Sequence, residues 1–87
     1  MYEVLLGRQA RKDVRNLPKD VQKRIVDALR ELPTEPRPTG SRKLSGSEDD
    51  HRVRVGRYRI LYTIDDTEKK TQEFRIMHRR DAYRLLL

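Results

Sequence analysis

The chain has 87 residues, of which 40% are charged and 34% hydrophobic, and its net charge is +7 at pH 7. This length supports one domain over residues 1–87, with a small core. The absence of cysteine excludes disulfides and thiolate metal sites, and two histidines alone make a zinc site unexpected. We expect no cofactor and no metal. The basic excess favours a polyanion or an acidic protein as partner, with a merely solvated basic surface as the alternative.

No apolar run approaches the about 20 residues that span a membrane, and the N-terminus lacks a signal-peptide pattern. We therefore expect a soluble cytoplasmic protein that makes no membrane contact.

The first third of the chain predicts one strand and two helices. Residues 2–6 have strand character, and from Arg8 apolar residues recur at helical spacing. Pro18 separates this helix from a longer one, which Pro33 ends. The longer helix carries an apolar stripe of Val21, Ile25, Ala28, Leu29 and Leu32. We predict an antiparallel helix pair whose stripe faces the core rather than a partner, because the domain has few other apolar faces.

The middle of the chain predicts loops around one short extended segment. Residues 34–41 contain two prolines and a glycine and form a loop. Residues 42–44 are either a short edge strand or an extended arm. Residues 45–50 form a polar turn that ends in three acids, for which we favour solvation over ion pairing with the arginines.

Residues 51–62, His-Arg-Val-Arg-Val-Gly-Arg-Tyr-Arg-Ile-Leu-Tyr, alternate with the period of a strand on either side of Gly56-Arg57. They predict a hairpin whose second strand runs to about Ile64. One face then carries Val53, Val55, Tyr58, Ile60 and Tyr62, and the other carries Arg52, Arg54, Arg59 and Leu61. Arg54 lies directly across from Arg59, and like charges in that position are destabilising. A bound anion is the simplest compensation.

The C-terminal third predicts a further strand over residues 71–77, after a turn at 65–70. Phe74 and Ile76 would face one side of it, with Arg75 and Met77 on the other. Arg75 reads as a substrate contact or a solvated side chain. A basic cluster follows at 78–83 and a short apolar tail at 85–87. The predicted fold is α+β: an N-terminal strand, a two-helix antiparallel hairpin and an antiparallel three-stranded meander in one sheet. The helices would cover the valine face and leave the arginine face open.

The open face has the chemistry of a phosphodiester site. Guanidinium groups bind phosphate in a bidentate fork and keep their charge, and Arg79, Arg80 and Tyr83 would lie near the hairpin arginines. Tyr83 could stack on a base or donate a proton. His51 and His78 are candidates for proton transfer, because histidine is the residue type suited to it near neutral pH, whereas paired carboxylates for two-metal chemistry are scarce. The pattern supports polyanion binding more strongly than catalysis.

Three segments resemble the RelE branch of the RelE/ParE toxin superfamily: Lys43-Leu44, residues 51–62, and Met77-His-Arg-Arg-Asp-Ala-Tyr83. The helix pair with Leu17-Pro18 extends the likeness over nearly the whole chain. This resemblance implies the toxin of a type II toxin–antitoxin pair. Such toxins enter the ribosomal A site, formed by 16S rRNA, and cut mRNA without metal, leaving a 5′-OH. A cognate antitoxin wraps the toxin, and only that complex binds operator DNA.

The resemblance also implies roles for single residues. The expected catalytic residues are Arg52, Arg54, Arg59, Arg80 and Tyr83. Arg59 would hold the scissile phosphate, Arg80 matches the family's arginine after the last strand, and Tyr83 would orient or activate the 2′-OH or stack on a base. Arg52 and Arg54 stand where well-known members have lysines. The remaining expected RNA contacts are Lys43, Arg79, His51 and His78.

The two arginines change the expected chemistry, because arginine essentially cannot act as a base. Proton transfer would fall to Tyr83, a histidine or water, although a structural role for either histidine is the simpler interpretation. Two other functions stay open. One is a ParE-like non-enzymatic toxin that poisons gyrase, which retention of Arg59, Arg80 and Tyr83 argues against. The other is a catalytically weak RNA- or ribosome-binding protein.

Overall fold

The chain adopts the predicted order of a strand, two helices and an antiparallel meander. A computed structural model describes residues 1–86, with Tyr83, Leu85 and Leu86 described by their backbone alone. The elements are β1 (Glu3–Leu6), α1 (Arg8–Arg15), α2 (Lys19–Glu31), β2 (Arg42–Lys43), β3 (Asp50–Val55), β4 (Tyr58–Asp65), β5 (Lys70–His78) and α3 (Arg79–Leu86). None of the helices in this described part has the length and apolar content needed to cross a membrane. The α+β class is confirmed.

All five strands form one sheet in the order β1-β5-β4-β3-β2. The N-terminal strand joins it as predicted, pairing in parallel with β5. The remaining pairs are antiparallel. Residues 42 and 43 pair with β3, so the edge-strand interpretation of this segment is the correct one. The sheet carries the hairpin near its centre and the two shortest strands at its edges.

The helices and the valine face of the hairpin enclose the main core. The α2 stripe supplies Ile25, Leu29 and Leu32, which are buried against the sheet, while Val21 and Ala28 pack at the margin. The sheet contributes Val53, Ile60, Tyr62, Ile64 and Ile76. The prediction that the stripe belongs to the core is confirmed.

The opposite face is only partly open, which corrects the sequence prediction. A second apolar cluster of Leu61, Met77 and Ala82 lies there, with Phe74 packed against it. Phe74 was predicted to share a side with Ile76. A register shift opposite Leu61 and Tyr62 leaves Phe74 without a partner on β4 and turns it to the second cluster.

The C-terminal segment forms a helix where the sequence analysis predicted a basic cluster and an apolar tail. α3 brings Ala82 onto the second cluster and so covers part of the arginine face. His78 ends β5, and its Nδ1 accepts a hydrogen bond from the backbone N–H of Arg80 at 3.2 Å, which caps the helix. Of the predicted tail, Leu87 lies outside the described residues.

A buried tyrosine fixes the loop that leads into β2. The Tyr62 hydroxyl donates a hydrogen bond to the backbone carbonyl of Pro36 at 2.8 Å, and burial raises the pKa of this phenol to about 12. At the surface, Arg37 forms an ion pair with Asp66 at 2.8 Å. These contacts hold residues 34–41 across the end of the core, which sets the position of β2.

Asp13 of α1 ties the helix layer to β5. Its Oδ2 accepts hydrogen bonds from Arg75 Nε at 2.9 Å and from the backbone N–H of Ile76 at 2.8 Å. β1 covers β5 only as far as Glu73, so the carboxylate satisfies an N–H that no strand reaches. Burial pushes the pKa of Asp13 upward, but its hydrogen bonds outweigh this and leave the pKa below its usual value.

Glu73 is a buried carboxyl group with an unsatisfied oxygen. Its side chain is 0% exposed, Oε2 accepts a hydrogen bond from Thr71 Oγ1 at 2.9 Å, and Oε1 has no partner in the described part of the chain. Burial raises the pKa of this carboxyl to about 7. The neutral acid is therefore the form that the fold tolerates best.

Replacing Asp13 with Ala should lower the free energy of unfolding by about 2 kcal/mol, because the buried N–H of Ile76 loses its hydrogen-bond acceptor and Arg75 loses its ion-pair partner. Urea denaturation measures the change. Asp27→Ala, an exposed acid on α2, is the matched control and should shift stability by less than about 0.5 kcal/mol. Equal effects of the two substitutions would contradict the assigned role.

The ionisation of Glu73 should make stability depend on pH. The unfolded chain releases this proton near pH 4.5 and the folded chain near pH 7. Stability is therefore lost as the pH rises between these values, by at most about 3 kcal/mol, and stays at the lower level above them. Glu73→Gln should remove this component, as seen in denaturation curves from pH 4 to pH 8. Exposed Glu68→Gln should retain it, and a Glu73→Gln profile parallel to the unmodified chain would refute the assignment.

Candidate functional site

The turn between β3 and β4 sets the register of the arginine face. Gly56 has a φ of 59° and comes first in the two-residue turn, the position where type II′ hairpins favour glycine. A Cβ at this position would also lie 2.9 Å from Arg24 Nη1 of α2. The turn gives the predicted pairing, with Arg54 opposite Arg59 and Val55 opposite Tyr58.

Four arginines line an open groove of about 200 Å³ on this face, together with Gly40. We call it the arginine groove; its arginines are Arg42, Arg52, Arg54 and Arg59. They form two directly opposed cross-strand pairs, Arg42 with Arg52 and Arg54 with Arg59. The groove therefore brings together residues of three adjacent strands.

Arg59 lies deepest in the arginine groove, at 8% exposure. Its Nη1 donates hydrogen bonds to the backbone carbonyls of Tyr58 at 3.0 Å and Gly56 at 3.4 Å. Burial lowers the pKa of this guanidinium, and the positive charges of Arg54, Arg52 and Arg79 lower it further. Arginine nevertheless keeps its proton at any physiological pH. The groove thus holds several positive charges close together, and deprotonation does not relieve their repulsion.

No carboxylate balances this charge within the described part of the chain. The ion pairs there are Arg37–Asp66, Lys43–Glu48 and Arg75–Asp13, and all of them lie outside the groove. The acidic turn before β3 forms none of its ion pairs with a groove arginine in this part of the chain, since Glu48 pairs with Lys43 at 4.0 Å. Nor do the described residues bring together three His, Asp or Glu side chains that could hold a metal ion. The groove is suited to an anion supplied from outside.

Three of the expected RNA contacts lie away from the arginine groove. His51 is 3% exposed on the core face, its ring is tilted by 32° against that of Tyr62, and its Nδ1 is 2.8 Å from the carbonyl oxygen of Asp49. His78 packs edge-on against Tyr58. Lys43 pairs with His51 in the sheet, and because side chains alternate it points away from Arg42.

The start of α3 brings further positive charge toward the groove. Arg79 is near enough to influence the pKa of Arg59, and its backbone N–H donates a hydrogen bond to the carbonyl of Arg57 at 2.7 Å. Arg80 is exposed one residue later. Tyr83 lies on the same helix, but its side chain lies outside the described residues.

Sequence reasoning missed Arg42 and left Arg75 undecided. The register of β2 would have identified Arg42, because an antiparallel edge strand starting there places it opposite Arg52. Arg75 has a structural role, in its ion pair with Asp13 at 2.9 Å. The acid that binds it is 62 residues away in the sequence, so no local pattern connects the two.

Comparison with known proteins gives a consistent set of relatives. The family model described as the ParE toxin of the type II toxin–antitoxin system parDE matches residues 4–83. Toxin RelG of Mycobacterium tuberculosis is 36% identical and aligns over 95% of this chain and 97% of its own. Putative toxin RelE1 of Methanocaldococcus jannaschii is 27% identical, over 95% and 96%.

Solved structures share the fold. The toxin chain in the archaeal RelE–RelB complex from Pyrococcus horikoshii OT3 superposes with a TM-score of 0.80 at 29% identity, covering 90% of this chain and 94% of that one. The isolated Escherichia coli RelE toxin gives a TM-score of 0.78 with full coverage of both chains; at 21% identity this supports the fold alone.

The opposed arginines should cost the free protein stability. Arg54→Gln should raise the free energy of unfolding by about 0.5 kcal/mol at low ionic strength, because it removes a like-charge cross-strand pair. The gain should shrink in added salt, which screens the repulsion. Urea denaturation at two salt concentrations measures it, with exposed Arg11→Gln on α1 as control. A loss of stability, or a gain that salt leaves unchanged, would contradict the interpretation.

Proposed function

This chain belongs to the RelE/ParE superfamily of type II toxin–antitoxin toxins, and we propose that it is a ribosome-dependent endoribonuclease that cuts mRNA in the A site without a metal ion. The observation that carries the proposal is the uncompensated charge of the arginine groove, centred on Arg59. A phosphodiester supplies the missing negative charge, and its charge grows during cleavage. The groove arginines would stabilise the negative charge that develops on the phosphoryl oxygens in the transition state.

The proposed reaction is an internal displacement at phosphorus. The ribose 2′-oxygen forms a bond to the phosphorus while the bond to the 5′-oxygen of the next nucleotide breaks. The 2′-hydroxyl loses a proton and the departing 5′-oxygen gains one, which leaves a 2′,3′-cyclic phosphate and a 5′-OH. Arg54 and Arg59 would stabilise the charge on the phosphoryl oxygens. Arg52 would extend this field, with Arg79 and Arg80 adding to it from α3.

The geometry narrows the choice of proton carrier. His51 is buried on the opposite face, and the Nδ1 of His78 accepts the Arg80 N–H while its ring packs on Tyr58. Arginine does not serve as a base. We therefore assign proton transfer to Tyr83 or to water, with α3 carrying the tyrosine on the side of the sheet that holds the groove.

The proposed partners follow from the family and from the charge. Solved relatives are toxin–antitoxin complexes, RelE–RelB in P. horikoshii and RelBE2 in M. tuberculosis. We propose a cognate antitoxin for this chain, with operator DNA bound only through that complex. With ribosome-bound mRNA as the proposed substrate, the proposed location is the cytoplasm. An acidic segment of the antitoxin would suit a toxin of net charge +7.

The description of the matching family model favours a second candidate, a ParE-like toxin that poisons gyrase through protein contacts. This function needs no phosphate site. The relatives named RelG and RelE, together with the groove around Arg59, favour the nuclease. A catalytically weak RNA- or ribosome-binding protein is the third possibility.

Programmed ribosomes test the proposal directly. The purified protein should cut mRNA in the A site, and Arg59→Ala should reduce the cleavage rate on the order of 100- to 1,000-fold, since it removes a donor to the charge that develops. Arg59→Lys keeps the charge without the fork and should also be strongly impaired. Primer extension maps the cut ends, and circular dichroism verifies that the variants fold.

Exposed Arg11→Ala should cut like the unmodified protein. Intact mRNA with the unmodified protein would refute the nuclease. Accumulation of cleaved DNA–gyrase complexes in its place would establish the ParE-like function.

A further inference from the structure

The arginine groove contains two successive cross-strand pairs rather than one. Arg54 and Arg59 form the inner pair, next to the turn, and Arg42 and Arg52 form the outer pair. Both pairs are directly opposed, and all four side chains line the same groove. The sheet thus repeats an arrangement that is unfavourable for a free protein.

Arg42 has no role in the fold that accounts for its side chain. It is exposed on a strand of two residues, and none of the ion pairs or side-chain hydrogen bonds in the described part of the chain uses it. Its direct neighbour across the sheet is another arginine. As with the inner pair, no carboxylate among the described residues forms an ion pair with it.

We propose that Arg42 is a further substrate-binding residue, and that the inner and outer pairs hold two consecutive phosphates of one RNA strand. Arg52 and Arg54 lie two residues apart on β3, and because the two pairs bridge to strands on opposite sides of β3, their centres lie about 8 Å apart. This is comparable with the separation of neighbouring phosphorus atoms in a nucleic-acid strand, which are joined through one ribose. Each pair presents two guanidinium groups to one phosphate.

This inference rests on the proposed nuclease function for one point, namely that the inner pair holds the scissile phosphate. The outer pair then holds the phosphate next to it. Arg42 would bind substrate without touching the reacting atoms, so its removal should raise KM and leave kcat nearly unchanged. The minimal ligand is a nucleoside with a phosphate on each side, whereas a single phosphate would fill half the groove.

An all-deoxy trinucleotide tests this without cleavage, because it has two phosphates and no 2′-hydroxyl. A methylphosphonate, which carries no charge, replaces one phosphate or the other. In NMR titrations at low salt, each replacement should weaken binding to the unmodified protein by about three- to tenfold. Arg42→Gln leaves only Arg52 in the outer pair, so it should lose less affinity than the unmodified protein at one of the two replacements, and Arg54→Gln should do so at the other.

Three comparisons complete the experiment. Arg42→Gln should reduce the slope of log K against log salt by up to about 0.7, the value for complete loss of one phosphate contact on a single strand. Arg42→Lys, which restores the charge, should recover part of the affinity. Exposed Arg11→Gln should match the unmodified protein at both linkages.

Equal losses for Arg42→Gln and the unmodified protein at both linkages would overturn the inference, as would absence of binding by the unmodified protein. The cleavage assay on ribosomes separates the two proposals. If the linkage pattern appears and mRNA stays intact, Arg42 is a phosphate ligand and the nuclease assignment fails. If mRNA is cut and the pattern is absent, only the inference about Arg42 fails.

Discussion

The pairing of β3 with β4 is the constraint on which both faces of the sheet depend. Val53 lies opposite Ile60 and Arg54 opposite Arg59. A slip of one residue would turn the valines to solvent and carry the arginines beneath the helices. Burying several unpaired guanidinium groups would cost more than the whole stability of a domain this small. Hydrophobic burial thus fixes the register, and the same register assembles the groove on the reverse side.

Glu73 and Arg59 both lack full electrostatic compensation within the described residues, and they respond to this in opposite ways. Glu73 is buried without a hydrogen-bond partner for Oε1, and burial raises its pKa so that the carboxyl group keeps its proton. Arg59 lies among other cations, and its proton is too tightly bound to leave. The carboxyl group of Glu73 becomes neutral by keeping its own proton. The charge of Arg59 can be balanced only by a bound anion, which is why the Glu73 site is structural and the Arg59 site is suited to ligand binding.

The sequence predicted those parts of the structure that the local spacing of apolar and polar residues determines. The hairpin faces, the α2 stripe and the order of elements all follow from spacings of two and of three to four residues. Arg42 was missed because its position depends on which strand β2 joins, and two residues carry no periodicity of their own. Phe74 was assigned to the wrong side because an irregularity in pairing shifts the alternation without leaving a mark in composition.

The helix α3 and the buried state of His51 show a second limit. The arginines of residues 78–83 gave this segment the character of a basic cluster rather than of a helix, while the contact of Ala82 with Leu61 joins residues that are distant in the chain. His51 alternates with the valines and so belonged to the core face by the same period-two rule. Its side-chain chemistry, rather than its position, suggested a site.

The two walls of the groove differ in stiffness. Arg59 stands on an eight-residue strand that is paired on both sides, whereas Arg42 stands on two residues at the edge of the sheet, close to Gly40 and Gly46 with their left-handed backbones. Short edge elements open locally at little cost, and central strands do not. The arginine groove therefore has a rigid side, β4 with Arg59, and a side that opens more easily, β2 with Arg42. We expect the rigid side to fix the position of a bound ligand and the edge strand to adjust to differences in ligand shape.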